Sequence, residues 1–194
     1  MPKLEETIEQ VNLKNAKAKQ AFLGYARFDV IKNKARLIFG KYNPRPLVTT
    51  QVQGLVHSFH VDGVDRFNPQ FSIPLIVDKS ILQPGCWAPD MECVDSLPDL
   101  EISEDAPTDW EIVAAGGQHR VAALEDWLDR KRKQWKELKN EREKHLRQEL
   151  ENVDTGLLVY LNTTLKRDVE ELEGVLHNEG RWMVSLFDKG RRLV

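Results

Sequence analysis

Residues 110–128, near the middle of the chain, read WEIVAAGGQHRVAALEDWL. A short apolar run stops at two glycines and resumes with apolar residues at helical spacing, which predicts a strand over 111–115, a corner and then a helix. The first N–H groups of such a helix have no acceptor within it and point ahead of the corner. Glycines let a ligand approach the backbone closely, and His119 and Arg120 add donors and positive charge. The corner is therefore a candidate anion site.

Composition narrows the class of protein. The chain has 194 residues, 41% hydrophobic and 30% charged, which suits one domain with its own core. A net charge of -3 and a pI near 6.0 argue against indiscriminate binding to nucleic acid. Cys86 and Cys93 form no Cys-x-x-Cys pair, which favours a reducing compartment over a disulfide framework. Without a signal-peptide pattern or a long apolar run, we expect an intracellular protein, cytoplasmic or nuclear, with no membrane association.

Hydrophobic spacing along the chain predicts a mixed α/β domain. We expect a helical arm over 1–24 and the domain proper over 25–194. Within the domain, the pattern predicts strands around a turn at 32–34, a helix capped by Thr49 or Thr50, a long loop over 79–109 and a long charged helix over 119–151. Three further elements follow from apolar runs and helical spacing, namely a buried strand over 71–78, a buried strand over 155–162 and a helix over 165–182.

Four stretches, in this order, resemble the ParB/sulfiredoxin superfamily: Asn43-Pro44-Arg45, LVHSFHVDGV with SIPLIV, GGQHRVAAL, and LHNEGR. The GQHR core is also similar to the DGQHR proteins associated with DNA phosphorothioation. The resemblance implies a small mixed sheet with flanking helices that binds a nucleotide, ATP or CTP with magnesium, at the glycine corner. Its implied turnover is phosphoryl transfer, either triphosphate hydrolysis or small-molecule kinase activity. Sulfiredoxin activity is unlikely, because Gln118 replaces the cysteine of GGCHR and has no thiolate to offer.

The resemblance also implies which residues hold the nucleotide: Arg45, Ser58, Gly116, Gly117, Gln118, His119, Arg120, Asn178 and Arg181. Asn178 would additionally give magnesium an oxygen ligand. His177 stands where the ParB ENxxR box has its glutamate, which weakens the case for family-type metal chemistry. The general base stays open among four candidates: Glu125, His119, His177 and Glu179.

Two other functions compete with nucleotide binding. The basic run Arg130 to Lys133 favours a DNA-associated binding or nuclease module of ParB type. Alternatively, the corner persists only for packing, and the charged helix over 119–151 recruits a protein partner or a second copy of the chain. A zinc site built from His57, His60, Cys86 and Cys93 is disfavoured by their spacing.

Overall fold

The computed structural model describes residues 8–91, 93–149, 155–177 and 180–190. Within them the fold is mixed α/β, as predicted. Its helices are α1 (Ile8–Ala21), α2 (Thr49–Val61), α3 (Gln118–Glu149) and α4 (Thr155–His177). Its strands are β1 (Phe22–Asp29), β2 (Leu37–Ile38), β3 (Ile73–Val77), β4 (Ile112–Ala114) and β5 (Arg181–Asp188).

The five strands form one sheet in the order β1-β5-β3-β4-β2. The last strand in the chain, β5, runs parallel to β3 and antiparallel to β1. On the other side of β3, β4 is antiparallel to β3 and parallel to β2. Residues 182–186 of β5 are buried without a break, as expected for a central strand that is covered on both faces.

Helices α2 and α3 contribute the apolar side chains that pack on the sheet. Phe59 of α2 is buried, and its ring centroid lies 6.1 Å from that of Trp182 on β5. The first turns of α3 bury Val121, Leu124 and Leu128. Because these positions recur at helical spacing, they fix how α3 is rotated against the sheet.

Beyond its first turns, α3 packs against α4. Trp135 Nε1 donates to Glu173 Oε1 at 3.2 Å, and Arg142 Nε donates to Asn162 Oδ1 at 3.2 Å. These pairs show that the two helices run antiparallel. None of the helices within the described ranges combines the length and apolarity needed to cross a membrane.

The loop predicted over 79–109 is largely irregular, and it lies along the outer edge of β1. Tyr25 and Ala88 exchange two backbone hydrogen bonds of 2.8 Å. Gly24 permits this approach, because its φ is +141° and a Cβ there would lie 2.0 Å from the carbonyl oxygen of Ala88. The loop thereby covers backbone groups that an edge strand would expose.

Near the end of the chain, one prediction is wrong and another is confirmed only in part. The predicted strand over 155–162 belongs to α4, where Val159 and Tyr160 are 58% and 68% exposed. The predicted helix over 165–182 ends at His177, and β5 begins at Arg181 after Gly180, whose φ is +82°. A short apolar run does not distinguish a strand from part of a helix, and here helix α4 extends through it.

Two boundaries also differ from prediction. Residues 22–24 belong to β1 rather than to the N-terminal arm, and Ala21 is already buried. Helix α2 is capped by Val48 without a side-chain hydrogen bond, so neither Thr49 nor Thr50 is its N-cap. The backbone N–H of Val48 donates to Nε2 of His119 on α3.

Candidate functional site

The glycine corner lies at the edge of the sheet where β2 and β4 end. Because these neighbouring strands are parallel, the chain leaves both at the same edge. The segment 39–48 after β2 therefore meets residues 114–119, which begin with the last residue of β4, and a cleft of about 280 Å³ lies between the two segments. The carboxyl ends of parallel strands are the usual position of ligand sites in α/β sheets. The cleft is lined by Phe39, Gly40, Asn43, Arg45, Pro46, Val48, Gln51, Ala114, Ala115, Gly116, Gly117, Gln118 and His119.

The two glycines of the corner have different structural roles. Gly117 has a φ of +85°, and a Cβ there would lie 2.9 Å and 3.0 Å from Cγ1 and Cγ2 of Ile73. Both the backbone and the packing therefore require glycine at this position. Gly116 is less constrained, because the nearest atom to its Cβ would be Pro74 Cγ at 3.6 Å.

His119 ties the two walls of the cleft together. Its Nε2 accepts a hydrogen bond of 3.0 Å from the backbone N–H of Val48. An accepting Nε2 requires the neutral tautomer with its proton on Nδ1. In this state His119 adds a hydrogen-bond donor to the corner but not the positive charge expected from the sequence.

Arg120 contacts the backbone that precedes β3. Its Nη1 donates to the carbonyl oxygen of Phe71 at 3.0 Å and more weakly to that of Ser72 at 3.5 Å. The guanidinium also lies 5.6 Å from the centroid of the Phe71 ring, and burial lowers the pKa of Arg120. Arg120 lines an adjoining depression of about 580 Å³, not the cleft that contains Arg45.

Two other residues predicted at the nucleotide site lie apart from it. The Ser58 hydroxyl donates to Asp62 Oδ2 at 3.0 Å and lines neither the cleft nor the adjoining depression. Arg181, at the start of β5, has its Nη1 4.0 Å from Asp99 Oδ2 and lines neither one.

The candidate general bases are also dispersed. Glu125 forms an ion pair with Lys34 and lines neither concavity, and His177 is exposed at the end of α4. Asn178 and Glu179 lie outside the described residues. Of the four candidates, the cleft itself contains His119.

The lining of the cleft also includes residues that the sequence pattern does not identify as site residues. Asn43 and Gln51 contribute side-chain amides, and Phe39 and Gly40 form the wall directly after β2. Their positions depend on the pairing of β2 with β4, for which the short run Leu37–Ile38 gives little local signal.

The histidines and cysteines considered for zinc do not come together. Cys86 is buried, its thiol donates to the carbonyl oxygen of Glu101 at 3.6 Å, and burial raises its pKa. Cys93 is exposed. His57 and His60 lie on α2 and line a separate groove with α3. Among the described residues, no three His, Cys, Asp or Glu side chains are grouped to hold a metal ion.

Comparison with known protein families gives a match to one family model. The sequence model described as "Protein of unknown function (DUF3723) N-terminal domain" matches residues 21–152, more than half of the chain. Neither the curated proteins nor the solved structures give a match. The matched range runs from the end of α1 to just beyond α3, so it includes the whole cleft. The chain therefore belongs to the DUF3723 N-terminal domain family.

Proposed function

We propose that this domain binds a nucleotide, ATP or CTP, through its phosphates in the cleft between residues 39–48 and the start of α3. The observation that carries the proposal is the set of groups in the cleft. Arg45 and the first turn of α3 line it together, and the described residues that line it include no carboxylate. Phosphate oxygens favour a site where a guanidinium and the free N–H groups of a helix start approach from different sides.

The corner backbone supports this proposal. The first helical bond of α3 runs from the Val121 N–H to the Gly117 carbonyl, so the N–H groups of Gln118 and His119 have no acceptor within the helix. Gly116 has no side chain to cover the backbone from the cleft. The adjoining depression shares Gln51, Gly116, Gly117 and His119 with the cleft, which leaves room for a nucleoside beyond the phosphates. The resemblance of GGQHR to the ParB/sulfiredoxin corner adds the same expectation from the sequence.

The cleft does not have the ligands of a protein-held magnesium ion. Magnesium in proteins usually takes one or two carboxylates together with water and substrate phosphates. The lining offers amide oxygens from Asn43, Gln51 and Gln118 and no carboxylate. Magnesium would therefore accompany the nucleotide as a ligand of its phosphates, and our proposal assigns it no residue of the described chain.

The proposal is limited to binding, because no group that the described part of the chain places in the cleft is set up as a general base. His119 already uses its Nε2 lone pair to accept the Val48 N–H. Glu125 is engaged by Lys34, and neither it nor His177 lines the cleft. Phosphoryl transfer and triphosphate hydrolysis need a group that orients or deprotonates the nucleophile.

Calorimetric titration of ATP, CTP and GTP, each with and without magnesium, tests the proposal. We expect saturable binding of ATP or CTP to the wild-type protein. In Arg45→Ala the Kd should rise roughly tenfold or more, because a charge-assisted hydrogen bond to the phosphates is lost. Lys41→Ala is the matched control, because Lys41 is exposed in the same segment but does not line the cleft. Absence of binding, or equal affinity in the two variants, would refute the proposal.

A further inference from the structure

A second concavity lies between α2 and α3, apart from the glycine corner. It has a volume of about 340 Å³ and shares no lining residue with the cleft. Six polar or basic side chains line it, three from each helix: Gln53, His57, His60, Arg130, Lys131 and Gln134. We call it the α2/α3 groove. Its volume is in the range of small-molecule sites.

One of the apolar side chains that line the groove carries a buried, unpaired donor. Val56 and Trp127 line it beside the polar side chains and are 3% and 8% exposed. The Trp127 indole N–H is buried and has no hydrogen-bond acceptor among the described residues. Buried donors are normally paired, so this indole is a donor whose hydrogen-bonding capacity the described chain leaves unused.

The charges around the groove favour an anion. The Lys131 ammonium lies 5.7 Å from the Trp127 ring centroid, and none of the described residues that line the groove is a carboxylate. Arg130 is oriented by Asp126, since its Nε and Nη2 donate to the two carboxylate oxygens at 3.0 Å and 2.9 Å. Asp126 offsets the charge of Arg130, which leaves Lys131 as the main source of positive charge. The imidazoles of His57 and His60 can add donors to it.

The positively charged part of the α2/α3 groove extends only a short distance along α3. On α3, Glu137 and Glu141 follow Gln134 at i+3 and i+7, so negative charges continue the same helical stripe. A long polyanion lying along this face would meet those carboxylates. A single anionic group bound at Lys131 would not reach those carboxylates.

We propose that the α2/α3 groove binds the phosphate group of a small phosphorylated ligand. A phosphate accepts more hydrogen bonds than a carboxylate, which suits a groove with donors on both helices. The remaining volume takes the organic part of the ligand against Val56 and Trp127. This site is independent of the nucleotide cleft, so either proposal can fail without the other.

Pyrophosphate titration, followed by NMR of the tryptophan indole N–H signals, tests this proposal. The chain has five tryptophans, and the Trp127 signal is assigned as the one missing from Trp127→Phe. We expect a saturable shift of this signal in the full chain. Its apparent Kd should rise roughly tenfold or more in Lys131→Ala, through loss of a charge-assisted hydrogen bond.

Two variants act as controls, and a third tests the contribution of α2. Lys133→Ala removes an equal charge from an exposed position on the same helix outside the groove, so its Kd should stay within about twofold of wild type. Arg45→Ala in the nucleotide cleft should leave the titration unchanged. His60→Gln should weaken binding with Trp127 and Lys131 both intact.

Each result of these titrations either supports or overturns phosphate binding in the groove. A Trp127 shift that depends on Lys131 but not on Lys133 supports the proposal. The absence of a saturable shift, or equal weakening in Lys131→Ala and Lys133→Ala, overturns it. A Trp127 shift with a short DNA duplex but not with pyrophosphate also overturns it, because the ligand would then be a nucleic acid.

Discussion

Replacing Gly117 by alanine should destabilise the domain by about 2–5 kcal/mol, whether or not a ligand binds. Holding a residue with a Cβ at a φ of +85° costs roughly 1–2 kcal/mol. The new Cβ would also lie 2.9 Å from Ile73 Cγ1, and overpacking of this kind costs about 1–3 kcal/mol more. Ile73 is fully buried in β3, so its side chain has little freedom to move away.

Gly116→Ala provides the matched comparison at the adjacent residue. A Cβ there would make ordinary contact with Pro74 at 3.6 Å, and its φ is not in the left-handed region. We expect its stability to stay within about 1 kcal/mol of wild type, including the small gain from a stiffer unfolded chain. Urea unfolding monitored by tryptophan fluorescence gives both values, and a loss near 3 kcal/mol corresponds to a fall in Tm of about 6–12 °C. Our account of the corner is wrong if Gly117→Ala unfolds within about 0.5 kcal/mol of wild type, or if Gly116→Ala loses as much.

Three further predictions concern side chains near and beyond the corner. Arg120→Met keeps most of the aliphatic volume but removes the donors to the backbone before β3, so urea unfolding should show a loss of about 1–2 kcal/mol; an unchanged midpoint would contradict this. In the native protein, Cys93 should react readily with Ellman's reagent, whereas Cys86, which is buried and has a raised pKa and therefore less thiolate, should react only on unfolding. Rapid reaction of both thiols would refute the assignment. In His119→Ala, hydrogen exchange of the Val48 amide should accelerate by roughly 2- to 10-fold, because its acceptor is lost; equal exchange would mean that the bond does not hold this segment.

Local sequence predicts the elements around the corner well. Residues 112–114 and the helix after them form a strand and helix because the apolar spacing changes at Gly116 and Gly117. The strand β3 is a compact apolar run bounded by polar residues, which is also a local signal. In contrast, β5 follows α4 closely, and helical spacing places its first two residues, Arg181 and Trp182, in the preceding helix. Gly180, a residue type common just after a helix end, and the aromatic and β-branched content of 181–188 are the sequence signals that separate the two elements.

The candidate site is harder to predict, because it depends on contacts between distant segments. Arg45 lines the same cleft as the corner only because Leu37 pairs with Ile112 across two parallel strands. Successive residues on a helix point about 100° apart, and of His119 and Arg120 only His119 lines the cleft that contains Arg45, whereas both line the adjoining depression. Their directions follow from the rotation of α3, which the burial of Val121 and Leu124 fixes. The sequence pattern identifies the corner but not which of its side chains faces the ligand.

The central position of β5 has a consequence for how the chain folds during synthesis. Strands β2, β3 and β4 can pair as soon as they emerge, but β1 has β5 as its only strand neighbour in the described sheet, and β5 emerges last. Until residues 181–188 leave the ribosome, the apolar edge of β3 and the inner edge of β1 both stay open to other chains. The nascent protein is therefore most vulnerable to aggregation just before β5 inserts between β1 and β3.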